Sequence, residues 1–268
     1  MMHCYSSDSQ EKMVRRGNFW NSRRGIKEHW PILIDNFIPN FYEKVSLITI
    51  TNMGYLPITM NCVKSIDRLK LKCPLKIYSI DKECFEELEK KEYTNRHFLG
   101  DIHSKSVKYQ DENWSIVTMQ KIVSIKTELE KSEIVVYIDG DITVEDSRFI
   151  TYCYERLEKN KDLDMLAQRE WRGKKDREEI CSGFLAIRSS EKTKEFFTPD
   201  PNKKYRNDQQ YVNSKKKSLN IELLPETLFP NGKYYYHNKS NIDPYLIHFN
   251  FVMSHDKIPK IKANKKWY

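Results

Sequence analysis

No run of eighteen apolar residues occurs in this 268-residue sequence, so nothing in it reads as a membrane-spanning helix. The N-terminus carries charge where a secretory signal would carry an apolar core, and a soluble, cytoplasmic protein is expected. Cys4, Cys62, Cys73, Cys84, Cys153 and Cys181 lie far apart, without the close pairs of zinc sites, and read as reduced thiols. Positive charge is in excess but not concentrated. The 46 Lys and Arg against 38 Asp and Glu give +8, spread along the chain with one dense run at Lys215-Lys216-Lys217. That pattern suits a solvated basic surface better than a nucleic-acid groove, and it also favours an anionic nucleotide or sugar. A basic nucleic-acid-binding protein, with an Asp pair serving metal-dependent phosphotransfer, stays the alternative. With 39% hydrophobic residues the chain can bury a sizeable core, as one large domain or one domain with extensions.

The most informative stretch is Ile134-Val135-Val136-Tyr137-Ile138-Asp139-Gly140-Asp141. An unbroken apolar run reads as a strand buried on both faces, since a half-exposed strand would alternate. The Asp, Gly and Asp that follow end it in an exposed turn. At the carboxyl end of a strand in an open α/β sheet, where ligands bind, two carboxylates suit magnesium or manganese, which can hold a phosphate-bearing substrate. Sixteen aspartates give about one Asp-x-Asp by chance, so the bare motif carries little weight and the strand feeding it carries more. A second copy, Asp162-Leu163-Asp164, stands in a lysine-rich stretch and reads as solvated surface.

Residues 1–43 are polar and basic with scattered aromatics, and Pro31 and Pro39 interrupt them; an extended N-terminal arm is expected, followed by a single domain over 44–268. The spacing predicts a strand at 45–50, a helix with Pro57 in its first turn, a strand at 75–80 ending at Asp81, and a short helix from about Glu83. Alternation of this kind is the signature of a parallel sheet. Thr49, Thr51, Asn52, Tyr55 and Asp81 then stand near strand ends, where a base and ribose could lie; ordinary turn chemistry is the other reading. A helix over 114–130 carries two apolar rows, Ile116-Met119-Val123 and Ile122-Ile125-Leu129. Lys121 on it reads as a lysine reaching for solvent. Further on, a helix is expected near 149–157, a strand at Met165-Leu166-Ala167-Gln168-Arg169-Glu170, and a small-residue turn at Cys181-Ser182-Gly183 opening a buried strand. Asn207 or Asp208 can cap the next helix. His248 follows an apolar pair, and is a packing residue unless its strand end meets Asp139 and Asp141 in space.

Taken together, these pieces resemble the nucleotide-diphospho-sugar transferases of the GT-A glycosyltransferase fold. The resemblance rests on Thr49 to Tyr55, Tyr137 to Asp141, Cys181 to Phe184, Asn207-Asp208-Gln209, and His248-x-Asn250 followed by Lys257, and covers residues 44 to 260. It implies a mixed, mainly parallel sheet flanked by helices in a single domain. It also implies Mn2+ or Mg2+ on Asp139, Asp141 and His248, and a UDP-sugar donor whose base and ribose meet Thr49, Thr51, Asn52, Tyr55 and Asp81. Lys121 and Lys257 would neutralise phosphate or touch the sugar. Asp208, Gln209 and Glu170 would surround the anomeric carbon, while Gly140, Ser182 and Gly183 would shape the pocket. The implied acceptor is a hydroxyl of a glycan or glycoprotein, and the implied chemistry retains configuration. Ser254 departs from the pattern, standing where the family usually has glycine ahead of Lys257. A non-catalytic relative that binds sugar nucleotides is the second alternative.

Overall fold

The structure is a computed structural model and describes residues 41–102, 105, 113–173 and 178–268. Residues 1–40 of the expected arm lie outside the described residues. From a short helix α1 (Phe41–Lys44) the chain runs through β1 (Val45–Thr51), α2 (Leu56–Asp67), β2 (Leu75–Ser79), α3 (Lys82–Lys90), β3 (Arg96–Phe98), α4 (Trp114–Leu129) and β4 (Ile134–Ile138). Strand β5 (Ile142–Val144) and helix α5 (Arg148–Lys159) lead to β6 (Met165–Arg169), β7 (Ile180–Arg188), α6 (Glu191–Phe196) and α7 (Asp208–Lys215). The 3-10 turn Lys216–Ser218, β8 (Ile221–Leu223), α8 (Gly232–Asn238), β9 (Leu246–His248) and α9 (Ser254–Ala263) complete it.

Seven strands form one sheet in the order β3-β2-β1-β4-β7-β6-β8, and β5 pairs with β9 beside it. Every residue of β4 is buried, as its unbroken apolar run requires. Strands β1 to β4 run parallel, β7 runs antiparallel to both β4 and β6, and β8 is parallel to β6. The expected mixed, mainly parallel sheet is therefore the one observed. Ile48, Val135, Tyr137, Leu185 and Ile187 from the strands pack against Ile122, Ile125 and Leu129 of α4. Only that second apolar row of α4 is buried; Ile116 and Val123 of the first stand exposed. A separate cluster of Ile58, Tyr235, Ile247, Phe249 and Ile261 ties α2, α8, β9 and α9 together.

Two local readings need correction. Cys181-Ser182-Gly183 is part of β7 and not a turn before it. The ladder between β6 and β7 slips here, so that Ala167 opposes Leu185 while the next residue, Gln168, opposes Cys181. Asp164 is buried where solvated surface was expected: its Oδ2 accepts from Lys192 Nζ at 2.5 Å and from the Asn220 backbone N–H at 2.7 Å. A carboxylate that close to two donors is a structural tie for the chain entering β6. Glu128, fully buried on α4, accepts from Ser46 Oγ at 2.5 Å, from Lys76 Nζ at 2.7 Å and from the Tyr78 hydroxyl. Burial opposes its charge, but these donors win and bring its pKa down to about 2.

Candidate metal and donor-sugar site

Asp139 and Asp141 leave β4 at the carboxyl edge of the sheet, with Gly140 pressed on α2. A Cβ at 140 would stand 2.4 Å from Thr59 Oγ1, so only glycine permits this approach. β9 then returns antiparallel along β5 and sets His248 opposite Ile142. That pairing carries the imidazole to the acids. His248 Nε2 lies 3.3 Å from Asp141 Oδ1 and 3.7 Å from Asp139 Oδ2. One ligand atom from each of the three residues falls within 4.8 Å of the others. Two carboxylates and an imidazole at that spacing fit a hard or borderline divalent cation.

Two buried lysines complete the electrostatics. Lys121 is 4% exposed and does not reach for solvent; its Nζ sits 2.8 Å from Asp139 Oδ1, 2.6 Å from Asp208 Oδ2 and 3.2 Å from the Ser182 carbonyl oxygen. Lysine seeks water only where no anion is nearer, and here two are. Burial alone would lower its pKa, but Asp139 and Asp208 hold it above the usual lysine value. Lys257, from the first turns of α9, puts its Nζ 2.5 Å from Asp141 Oδ2 and lies 5.6 Å from the centre of the Tyr55 ring. The Ser254 departure thus leaves Lys257 on the acidic cluster. Against the cost of burial, Lys257 and His248 keep Asp141 well below the usual carboxylate range.

These groups open into a cavity of about 580 Å³. Thr51, Asn52 and Tyr55 line one side of it, Glu170, Asp208 and Gln209 the other, and Gly140, Ser182 and Gly183 contribute backbone. The Ser182 hydroxyl donates to Asp208 Oδ2 at 2.6 Å. Gly183 touches the metal-type cluster more than a pocket wall: a Cβ there would meet His248 Cε1 at 2.1 Å. Two expected residues do not line the cavity. Thr49 is fully buried within β1, and the Asp81 carboxylate caps α3, accepting from the Cys84 N–H at 2.8 Å and the Met53 N–H at 2.9 Å. Both oxygens of Asp81 are committed to backbone. Sequence reasoning missed Tyr137, whose hydroxyl donates to Asp139 Oδ1 at 2.9 Å, and Gln168, whose Oε1 is 2.8 Å from His248 Nδ1. Alternation along β4 was a signal for the first, since Tyr137 is two residues before Asp139.

The sequence model describing nucleotide-diphospho-sugar transferases matches residues 75–262. The chain belongs to that family. Among relatives of this nucleotide-diphospho-sugar transferase is a UDP-galactose:fucoside alpha-3-galactosyltransferase of Dictyostelium discoideum, 22% identical over 274 residues. That match takes in 80% of this chain and 41% of the relative, so the chain spans about two fifths of the relative's length. Among solved structures, the galactosyltransferase LgtC in complex with donor and acceptor sugar analogues superposes with a TM-score of 0.51 at 13% identity, covering 76% of this chain and 87% of its own. A glycosyltransferase involved in glycosylation of the major capsid of PBCV-1 gives 0.53 at 9% identity, covering 82% of this chain and 98% of its own. At such identities the likeness is one of fold. Among the described residues no helix is long and apolar enough to cross a membrane.

Proposed function

We propose that this chain is a metal-dependent glycosyltransferase that takes a nucleotide diphosphate sugar, of the uridine type, and passes the sugar with retained configuration to a hydroxyl of a glycan or glycoprotein. The observation that carries the reading is the meeting of Asp139, Asp141 and His248 from remote segments at one side of a cavity that also holds Lys121 and Lys257. Asp139, Asp141 and His248 would hold Mn2+ or Mg2+, and their oxygen and nitrogen donors suit either. A cation bound there supplies stabilisation of the negative charge that grows on the departing diphosphate.

The chain's own groups divide the remaining work. Lys257 adds a second positive centre beside Asp141, placed to meet a phosphate oxygen. Thr51, Asn52 and Tyr55 flank the side of the cavity that takes base and ribose. Asp208, held by Lys121 and Ser182, presents a fixed carboxylate toward the sugar, where positive charge develops as the bond to phosphate lengthens. Glu170 and Gln209 lie along the same wall. Titration calorimetry with a panel of nucleotide sugars tests the reading, alongside metal-dependent hydrolysis of the same panel. Binding is expected for a uridine diphosphate sugar with Mn2+ and is expected to vanish in Asp139→Asn, in Asp141→Asn and after chelation. Binding that survives all three changes refutes the metal-dependent reading, and binding without hydrolysis or transfer identifies a non-catalytic relative.

A further inference from the structure

Gln168 is buried on β6 at the point where the ladder to β7 slips. Its side-chain Nε2 lies 3.1 Å from the Phe229 carbonyl oxygen and 3.0 Å from that of Pro230. Carbonyl oxygens only accept, so the NH2 half of the amide has to face them. The oxygen half is thereby fixed on His248 Nδ1, 2.8 Å away. An amide oxygen is satisfied by an imidazole nitrogen only when that nitrogen carries hydrogen. Cys181 Sγ, 3.5 Å from the same Nδ1, is a weaker partner. The Pro230 carbonyl also accepts from the His248 backbone N–H at 3.3 Å, so one peptide group braces both residues. The other ring nitrogen, Nε2, faces the carboxylate oxygens of Asp141 at 3.3 Å and Asp139 at 3.7 Å; these accept as well, so a hydrogen that Nε2 carries in the metal-free chain is one that an arriving cation displaces.

We propose that Gln168 is a positioning residue: it keeps the hydrogen of His248 on Nδ1 and so presents Nε2 with its lone pair available to a divalent cation. The proposal rests on the reading of Asp139, Asp141 and His248 as metal ligands. Outer partners of this kind orient metal-binding histidines, and their loss typically costs about 10- to 100-fold in metal affinity.

Long-range 1H–15N correlation of the imidazoles in the metal-free full chain at pH 8 reads the proton directly. The expected result is a protonated Nδ1 on His248; a bare Nδ1 overturns the proposal and needs no variant. In Gln168→Leu, similar in size but without an acceptor, the hydrogen is expected to leave Nδ1 for Nε2. The Mn2+ Kd, read from the electron paramagnetic resonance of free Mn2+, is expected to weaken about 10- to 100-fold. A Gln168→Leu protein with unchanged Mn2+ affinity also overturns it. The two readings fail differently: protonated Nδ1 in a wild-type chain that binds no Mn2+ removes the metal site and the role with it, whereas Mn2+ binding with bare Nδ1 removes only the role of Gln168.

Discussion

Gly183→Ala offers the sharpest test of the site's geometry. The added Cβ would stand 2.1 Å from His248 Cε1, 2.6 Å from His248 Nδ1 and 2.9 Å from Asp139 Oδ2. Carbon atoms rest about 3.5 Å apart, so one side has to retreat by more than about 1 Å. The backbone at 183 has little freedom to do so. Its carbonyl accepts from the Asp139 N–H at 2.8 Å, and β7 is clamped between β4 and β6. The displacement therefore falls on the His248 ring and on Asp139, two of the three residues that would hold the cation. A misplacement of about 1 Å in a catalytic constellation costs on the order of 100-fold, and overpacking a buried site costs about 1–3 kcal/mol of stability. At about 2–4 °C per kcal/mol for a domain of this size, Tm should fall by several degrees while the protein stays folded. Calorimetric titration with Mn2+, with and without a uridine diphosphate sugar, should show metal affinity down by about 100-fold and turnover down at least as far. A folded Gly183→Ala protein with wild-type Mn2+ affinity and turnover would refute the claim that His248 and Asp139 act together at this point.

Three further outcomes are expected. Lys121→Met leaves Asp139 Oδ1 and Asp208 Oδ2 with no cation between them; breaking a buried pair in this way costs about 3–5 kcal/mol, measurable by urea unfolding, and should abolish turnover. Glu128 has a folded pKa of about 2, below its ordinary value of 4.5, so its contribution is fully present above pH 4.5 and is lost as pH falls toward 2. That contribution is on the order of 3 kcal/mol, and Glu128→Gln should flatten this part of the acid-unfolding curve; an unaltered curve would count against the Ser46, Lys76 and Tyr78 network. Chelation with EDTA should eliminate nucleotide-sugar binding while leaving the far-ultraviolet circular dichroism unchanged, because the sheet's buried strands and not the cation hold the fold together.

Much of the sheet could be read from the residues because its strands are short apolar runs punctuated by turn residues. The run at 134–138 and the β-branched residues at 45–50 leave little choice of structure. Helix α9 escaped notice since Pro259 and its lysines obscure the apolar period. The acid pair was legible through the strand that feeds it. Lys121 was not, because the anions that draw it inward come from β4's end and from α7, far away in sequence. Thr49 and Asp81 are the opposite case: residue types suited to a ligand stand off the cavity, Thr49 buried within β1 and Asp81 with both carboxylate oxygens on backbone N–H groups. Gln168 was hidden for a topological reason, in that nothing local marks the slip between β6 and β7 that sets it beneath His248.

The same slip has a consequence for how robust the centre is to change. Beside it the peptide oxygen of Ser182 accepts from Lys121 Nζ, while that of Gly183 extends the β4–β7 ladder to the Asp139 amide. Both acceptors belong to the main chain, so a replacement of the Ser182 side chain removes neither, whereas a Cβ at 183 presses on His248 and Asp139. Chemistry at this edge can be retuned through the side chains of Asp208 or Gln209 while the bearing of the first carboxylate stays written in the polypeptide backbone.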